Sequence, residues 1–174
     1  MDKVSLDRIE TLSPLAKEEA LLILKESDEA LAGKAILRYT YCTRTHKEQQ
    51  DLWNLGRTVV NPQGYDILRK PLGNIVTWAK AGESYHNYGL AVDCVLLLDK
   101  DKNGTFESAS WDPKLDFDKD GIADWMEVVQ IFMKYGWEWG GNWGKPKTDT
   151  PHFQKTFGMT IAQLQKKSPN SILV

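Results

Sequence analysis

The chain has 174 residues, 41% apolar and 26% charged, which is enough for one ordinary hydrophobic core and excludes a disordered or fibrous protein. A net charge of -2 and a pI near 5.9 deny it the broad positive field that phosphate binding needs, so nucleic acid is not expected as a partner. Met1-Asp2-Lys3 begins no apolar leader, and the Leu21–Leu24 run follows Glu18 and Glu19, so neither a signal peptide nor a membrane span is expected.

Ser13 before Pro14 predicts a first helix over 13–32, with Leu15, Leu21, Leu22, Leu24 and Leu31 as its apolar face and Gly33 as its end. Ala35 to Cys42 is rich in β-branched and aromatic residues and reads as a strand whose end delivers Arg44. Thr45 and Glu48 have capping-box spacing for a second helix, which carries Gln49, Leu52 and Trp53 and stops at Gly56. From 57 to 82, Pro62, Gly64, Pro71, Gly73 and Gly82 break any periodicity, and a long loop with one short strand is expected.

Leu90 to Leu98 is an almost unbroken apolar run and reads as a central strand. Its one carboxylate, Asp93, is costly there unless something pairs with it, which hints at a metal. Trp125, Val128, Val129 and Phe132 recur at helical spacing and predict a third helix up to Gly136. Trp137, Trp139 and Trp143 follow; they either wall a substrate groove, with Trp139 against substrate, or belong to the core. A last helix starts at Thr160, again with capping-box spacing to Gln163, and is expected to run to 167. Cys42 and Cys94, the only cysteines, lie in apolar runs and read as buried free thiols made in a reducing cytosol, with a disulfide as the minor alternative.

His86 and Asp93 flank Gly89, which lets the backbone turn from a loop into the strand carrying the carboxylate. A catalytic zinc usually takes three protein ligands and leaves one position for water, so this pair asks for a third, and His152 is the candidate. His46, in the first turn of a charged helix, reads as an ordinary polar residue. A second metal pattern runs from Asp116 to Glu127. Asp116, Asp118, Asp120, Asp124 and Glu127 occupy the carboxylate positions of a calcium loop, Gly121 its sharp turn, and Ile122 the carbonyl position. No entering helix is expected upstream, so this is half of an EF-hand, or else an acidic turn capping the third helix. The similar start at Asp99 reaches Ser110 where a bidentate glutamate would be required, and it reads as a polar hairpin turn.

The pattern Ser84-x-His86-x-x-Gly89-x-Ala91-x-Asp93, with Asp149-x-x-His152 later, resembles the zinc D-alanyl-D-alanine carboxypeptidase family of peptidoglycan peptidases. Within that family it looks closest to the L-alanyl-D-glutamate endopeptidases of phage endolysins. The resemblance implies zinc on His86, Asp93 and His152, Asp149 as general base, Arg44 as the donor that stabilises the oxyanion, and Gln49 and Ser84 as residues that orient substrate. It implies the hedgehog/DD-peptidase-like fold: one α+β domain over 1–174, its core at 35–158 and a helix packed on at each end. A small, mainly antiparallel sheet would be flanked by helices, with the zinc at the sheet edge. The substrate would be the peptidoglycan stem peptide, cut by a monomer made in the cytoplasm and acting on the wall after release, in a phage or prophage setting. The carboxypeptidase branch carries Glu where this chain has Asp149, which favours the endopeptidase branch. Two alternatives stay open: a D-alanyl-D-alanine carboxypeptidase or dipeptidase, and a zinc-bearing wall-binding module without catalysis.

Overall fold

A computed structural model describes residues 1–57 and 71–167. In chain order the elements are α1 (Lys3–Ile9), α2 (Pro14–Ala30), β1 (Ala35–Tyr41), α3 (His46–Asn54), β2 (Ala91–Leu98), β3 (Ser108–Ser110), α4 (Asp124–Lys134), β4 (Glu138–Trp139), β5 (His152–Gln154) and α5 (Ile161–Lys166). The strands form one sheet in the order β1-β2-β5-β4, with β3 also paired to β2, and every pairing is antiparallel. This is the expected α+β architecture. Of the loop expected over 57–82, residues 58–70 lie outside the described residues, and 71–84 hold no helix or strand beyond an isolated bridge at Pro71.

β2 is the centre of the sheet because its sequence can be buried on both faces. Val92, Cys94, Leu96 and Leu98 join the main core with Trp125, Val128, Val129 and Phe132 of α4. The alternation of a strand then turns Asp93 to the opposite face. Burying one such aliphatic side chain contributes about 1.5–3 kcal/mol, so a one-residue slip, which would carry Asp93 into the core and Leu96 out of it, is strongly disfavoured. β5 follows the same logic: Phe153 stacks on Phe132 with centroids 3.9 Å apart, while the neighbouring His152 pairs with Asp93 across the ladder.

Both capping boxes form. Thr45 and Thr160 accept from the backbone of Glu48 and Gln163, whose side chains reach back to the cap residues. The first helix differs from its expected face. Leu15, Leu21 and Leu22 remain 38–41% exposed, and the buried set is Ala16, Ala20, Ile23, Leu24, Ser27 and Leu31. Two registers of apolar residues overlap on this helix, and the one with small residues wins because alanine and serine let the helix axis approach its neighbours closely. α1 has no counterpart in the sequence expectations. Asp2 caps it by accepting from Ser5 N at 3.0 Å and also pairs with Arg38 Nη2 of β1 at 2.7 Å, so a seven-residue helix is held by its tertiary contact. Among the described residues no helix is long and apolar enough to cross a membrane.

Candidate metal centre and active-site cleft

Three local devices bring the candidate ligands together. Ser84 caps a short 3-10 turn, Tyr85–Tyr88, its hydroxyl accepting from His86 N at 3.3 Å, and this turn carries His86. Gly89 ends the turn at φ 65°, where a Cβ would meet the backbone of Ser13, so both handedness and space require glycine there. β2 presents Asp93 and β5 presents His152 in register at the last pair of their ladder. The site therefore lies at the margin of the sheet where that ladder ends, on inner strands.

His86 Nε2 and His152 Nδ1 each lie 3.1 Å from Asp93 Oδ1 and 3.2 Å from each other. The outer nitrogens define the protonation of the inner ones. His86 Nδ1 donates to the Cys42 carbonyl at 2.5 Å, and His152 Nε2 donates to Gln154 Oε1 at 3.1 Å. In the neutral rings both inner nitrogens then turn lone pairs toward the same point as a carboxylate oxygen. Three acceptors converging with no donor between them repel one another unless a cation is present. Their spacing is close to the edge of a tetrahedron with ligand bonds of about 2.0–2.1 Å, roughly 3.3 Å, so the set fits a zinc-like ion. Gln154 is in turn held by its amide donating to Glu138 Oε2 at 2.9 Å. Such outer partners orient ligating imidazoles.

Arg44 stands beside the centre. Its Nη2 donates to Asp93 Oδ2 at 3.1 Å and its Nη1 to Gln49 Oε1 at 2.9 Å, while Nε is buried without a partner. The guanidinium also lies over the Tyr41 ring, 4.7 Å from its centroid. Burial disfavours the charge on Asp93, and positive charge on the two imidazoles, present only when they are protonated, holds its carboxyl well below the usual range.

A cleft of about 930 Å³ opens over these groups, lined by His86, Asp93 and His152 with Arg44, Ser84 and Asp149. Burial raises the Asp149 carboxyl above its ordinary range. Gly140 makes room for it: a Cβ there would lie 2.5 Å from the Asp149 carbonyl oxygen and 3.2 Å from His152 Cβ.

Two of the expected substrate residues lie elsewhere. Gln49 is fully buried and bridges Arg44 to the Ala79 carbonyl at 2.7 Å, so its place is behind Arg44. Trp139 is spent on structure, donating from its indole to the Thr150 carbonyl at 2.7 Å, which steadies the segment between Asp149 and His152. Trp143 instead reaches the cleft, 5.1 Å from the His152 ring, and Trp78 and Trp111 form further walls. Trp137 is core. Cys42 and Cys94 are free and buried, and burial pushes the Cys42 thiol up to about 12, so neither is a ligand or nucleophile. The Cys42 carbonyl, Gln154 and Glu138 were not singled out from sequence. The only signal for Gln154 was its two-residue spacing from His152, which places both on one face of a strand.

Residues 77–155 match the family described as D-alanyl-D-alanine carboxypeptidase. Over 137 residues the chain is 40% identical to the peptidoglycan L-alanyl-D-glutamate endopeptidase CwlK of Bacillus subtilis (strain 168), spanning 76% of this chain and 71% of that protein. The crystal structure of the Serratia marcescens L-Ala D-Glu endopeptidase ChiX shares the fold, with a TM-score of 0.53 at 21% identity and 90% of each chain covered. A convergent His-Asp-His set beneath an open cleft is what a metal-dependent hydrolase requires, and with 40% identity over most of both chains it makes this protein a member of the D-alanyl-D-alanine carboxypeptidase (M15) family of peptidases.

Proposed function

We propose that this chain is a zinc endopeptidase that hydrolyses the L-alanyl-D-glutamate bond of the peptidoglycan stem peptide, degrading wall in the manner of an endolysin. The observation that carries it is the meeting of two imidazole lone pairs and one carboxylate oxygen, 3.1–3.2 Å apart, on the wall of a cleft open to solvent. The relationship to CwlK supplies the bond.

His86, Asp93 and His152 hold the ion, and zinc when bound there polarises a peptide carbonyl and lowers the pKa of water toward 7. Asp149, three residues before His152 and facing the same cleft, takes the proton of the attacking water and returns it to the leaving amine. Partial burial suits it to both roles, since a carboxyl raised above its ordinary range is a stronger base when ionised and keeps its proton nearer to neutrality for return to the leaving group. Arg44 keeps Asp93 ionised and oriented. Each of its Nη atoms uses one N–H on Asp93 or Gln49, which leaves the second N–H of each for developing negative charge on the substrate. Gln49 positions Arg44.

Mass spectrometry of digested muropeptides tests this directly. New N-terminal D-glutamate with L-alanine left on the muramoyl side is the expected result. Release of terminal D-alanine alone would assign the carboxypeptidase reaction in its place.

A further inference from the structure

We propose that residues 116–127 form a calcium site, with the carboxylates of Asp116, Asp118, Asp120, Asp124 and Glu127 and the Ile122 carbonyl as ligands, and that the ion seats α4 against β5 behind the metal centre.

Carboxylate oxygens of Asp116, Asp118 and Asp124 come within 4.8 Å of one another, as do those of Asp118, Asp120 and Glu127. Such clusters are common on surfaces, but here two of the oxygens are not at the surface. Asp124 is 1% exposed and its Oδ1 is buried without a hydrogen-bond partner at ordinary distance, while Phe117 N donates to Oδ2 at 2.8 Å and the Asp118 backbone N–H also acts on the carboxylate. Glu127 Oε2 is likewise buried without a partner. An orphaned carboxylate oxygen is costly, and two of them belong to residues of one acidic loop. Among the described residues no lysine or arginine forms an ion pair with any of the five carboxylates. Helix capping does not account for this, because a helix N-terminus rewards charge near its exposed first turn and leaves no reason to bury oxygens unpaired. An all-oxygen set of about six ligands on a turning loop matches calcium, whereas zinc prefers nitrogen and sulfur, and magnesium keeps several of its own waters.

The loop is wired to the other centre. Asp124 is the first residue of α4, and the adjacent Trp125 is fully buried with its ring 6.3 Å from that of Phe153. About two turns on, Phe132 stacks on the same ring. Phe153 lies between His152 and Gln154, which are a ligand of the first centre and the group that orients it. Anchoring the start of α4 thus fixes the strand from which His152 projects.

The test uses zinc-loaded protein in buffer stripped of calcium at constant free zinc. Calorimetric titration with calcium chloride is expected to give one ion per chain, with magnesium binding far more weakly. At calcium a hundred times its Kd the folded-to-unfolded ratio rises about a hundredfold, read as an upward shift in Tm. Glu127→Gln and, separately, Asp118→Asn should weaken calcium by at least about tenfold, because each removes a charged ligand. Asp99→Asn, in the neighbouring hairpin, should leave calcium binding unchanged. Glu127→Gln should also melt no lower than the parent without calcium, since one of five mutually repelling carboxylates is neutralised; that keeps the test readable without activity. Coupling is read as tighter zinc binding at saturating calcium, measured by competition with a chromophoric chelator. Absence of heat and of any Tm shift up to about 10 mM calcium, above the range of even weak extracellular calcium modules, overturns the site. So does binding that survives both loop variants or is lost in Asp99→Asn. Zinc affinity indifferent to calcium overturns the coupling.

Discussion

The His86–Asp93–His152 centre and the acidic loop at 116–127 both gather metal-ligating atoms within 4.8 Å, but their surroundings treat them differently. At the first centre every ligand is held from behind: His86 by the Cys42 carbonyl, His152 by Gln154, and Asp93 by Arg44. Its side chains project from paired strands and a capped turn, so the fold itself brings them together. In the acidic loop the hydrogen bonds are turns of the loop on itself, such as Gly121 N to Asp116 Oδ2 at 3.1 Å, and two carboxylate oxygens are left with nothing. The first site is preorganised by the fold. The second is a set of like charges that repel one another.

That contrast can be broken or sharpened experimentally. The largest effect is expected at Asp149. Asp149→Asn removes the base and leaves the ligands untouched, so kcat on a stem-peptide substrate should fall by about 10²–10⁴ while metal content stays at one equivalent. Loss of the metal together with activity would place Asp149 among the supports of the centre instead. A smaller effect is expected behind His152. Gln154→Leu should weaken metal binding by about 10–100-fold, measured by chelator competition, with the fold retained by circular dichroism. An unchanged affinity would mean that the strands alone orient the imidazole.

How much of this was legible beforehand depended on how local the determinants were. The turn from Ser84 through Gly89 to Asp93 is written in ten consecutive residues, and a polar residue in an otherwise apolar strand draws attention because of its cost. His152 was reachable because a catalytic metal needs a third ligand and few histidines exist. The supports were not reachable in the same way. The Cys42 group that holds His86 is a backbone carbonyl, which any residue would supply, and Gln154–Glu138 is a contact between strands whose register depends on the whole sheet. Trp139 and Gln49 were misplaced for a related reason: both sit next to the machinery in sequence, and only packing decides that Trp143 reaches the cleft and Gln49 does not. In α2 two overlapping leucine and alanine registers gave no local way to choose the buried face, and α1 depends on the distant Arg38.

The smallest effect concerns the acidic loop in calcium-free buffer. Burial, followed by Asp120, Asp118, Asp124 and Asp116, pushes the Glu127 carboxyl up to about 7. Between the ordinary carboxylate range and that value the folded state holds a proton that the unfolded chain has lost, so stability must fall as pH rises through this window. The calcium-free Tm is therefore expected to drop by a few degrees from pH 5 to about 7.5, and Glu127→Gln should flatten the drop. A calcium-free profile already flat in the parent would show that the loop relaxes its own repulsion, and the contrast between the two centres would weaken.

His86, Asp93 and His152 are proposed to hold one catalytic metal ion jointly. Elemental analysis of purified protein beside its His152→Ala variant measures it most directly. One equivalent of zinc in the parent, and none in a variant that remains folded and has lost stem-peptide cleavage, is the predicted result. A parent that cleaves stem peptide without stoichiometric metal, or a His152→Ala variant that retains its full equivalent, would contradict it.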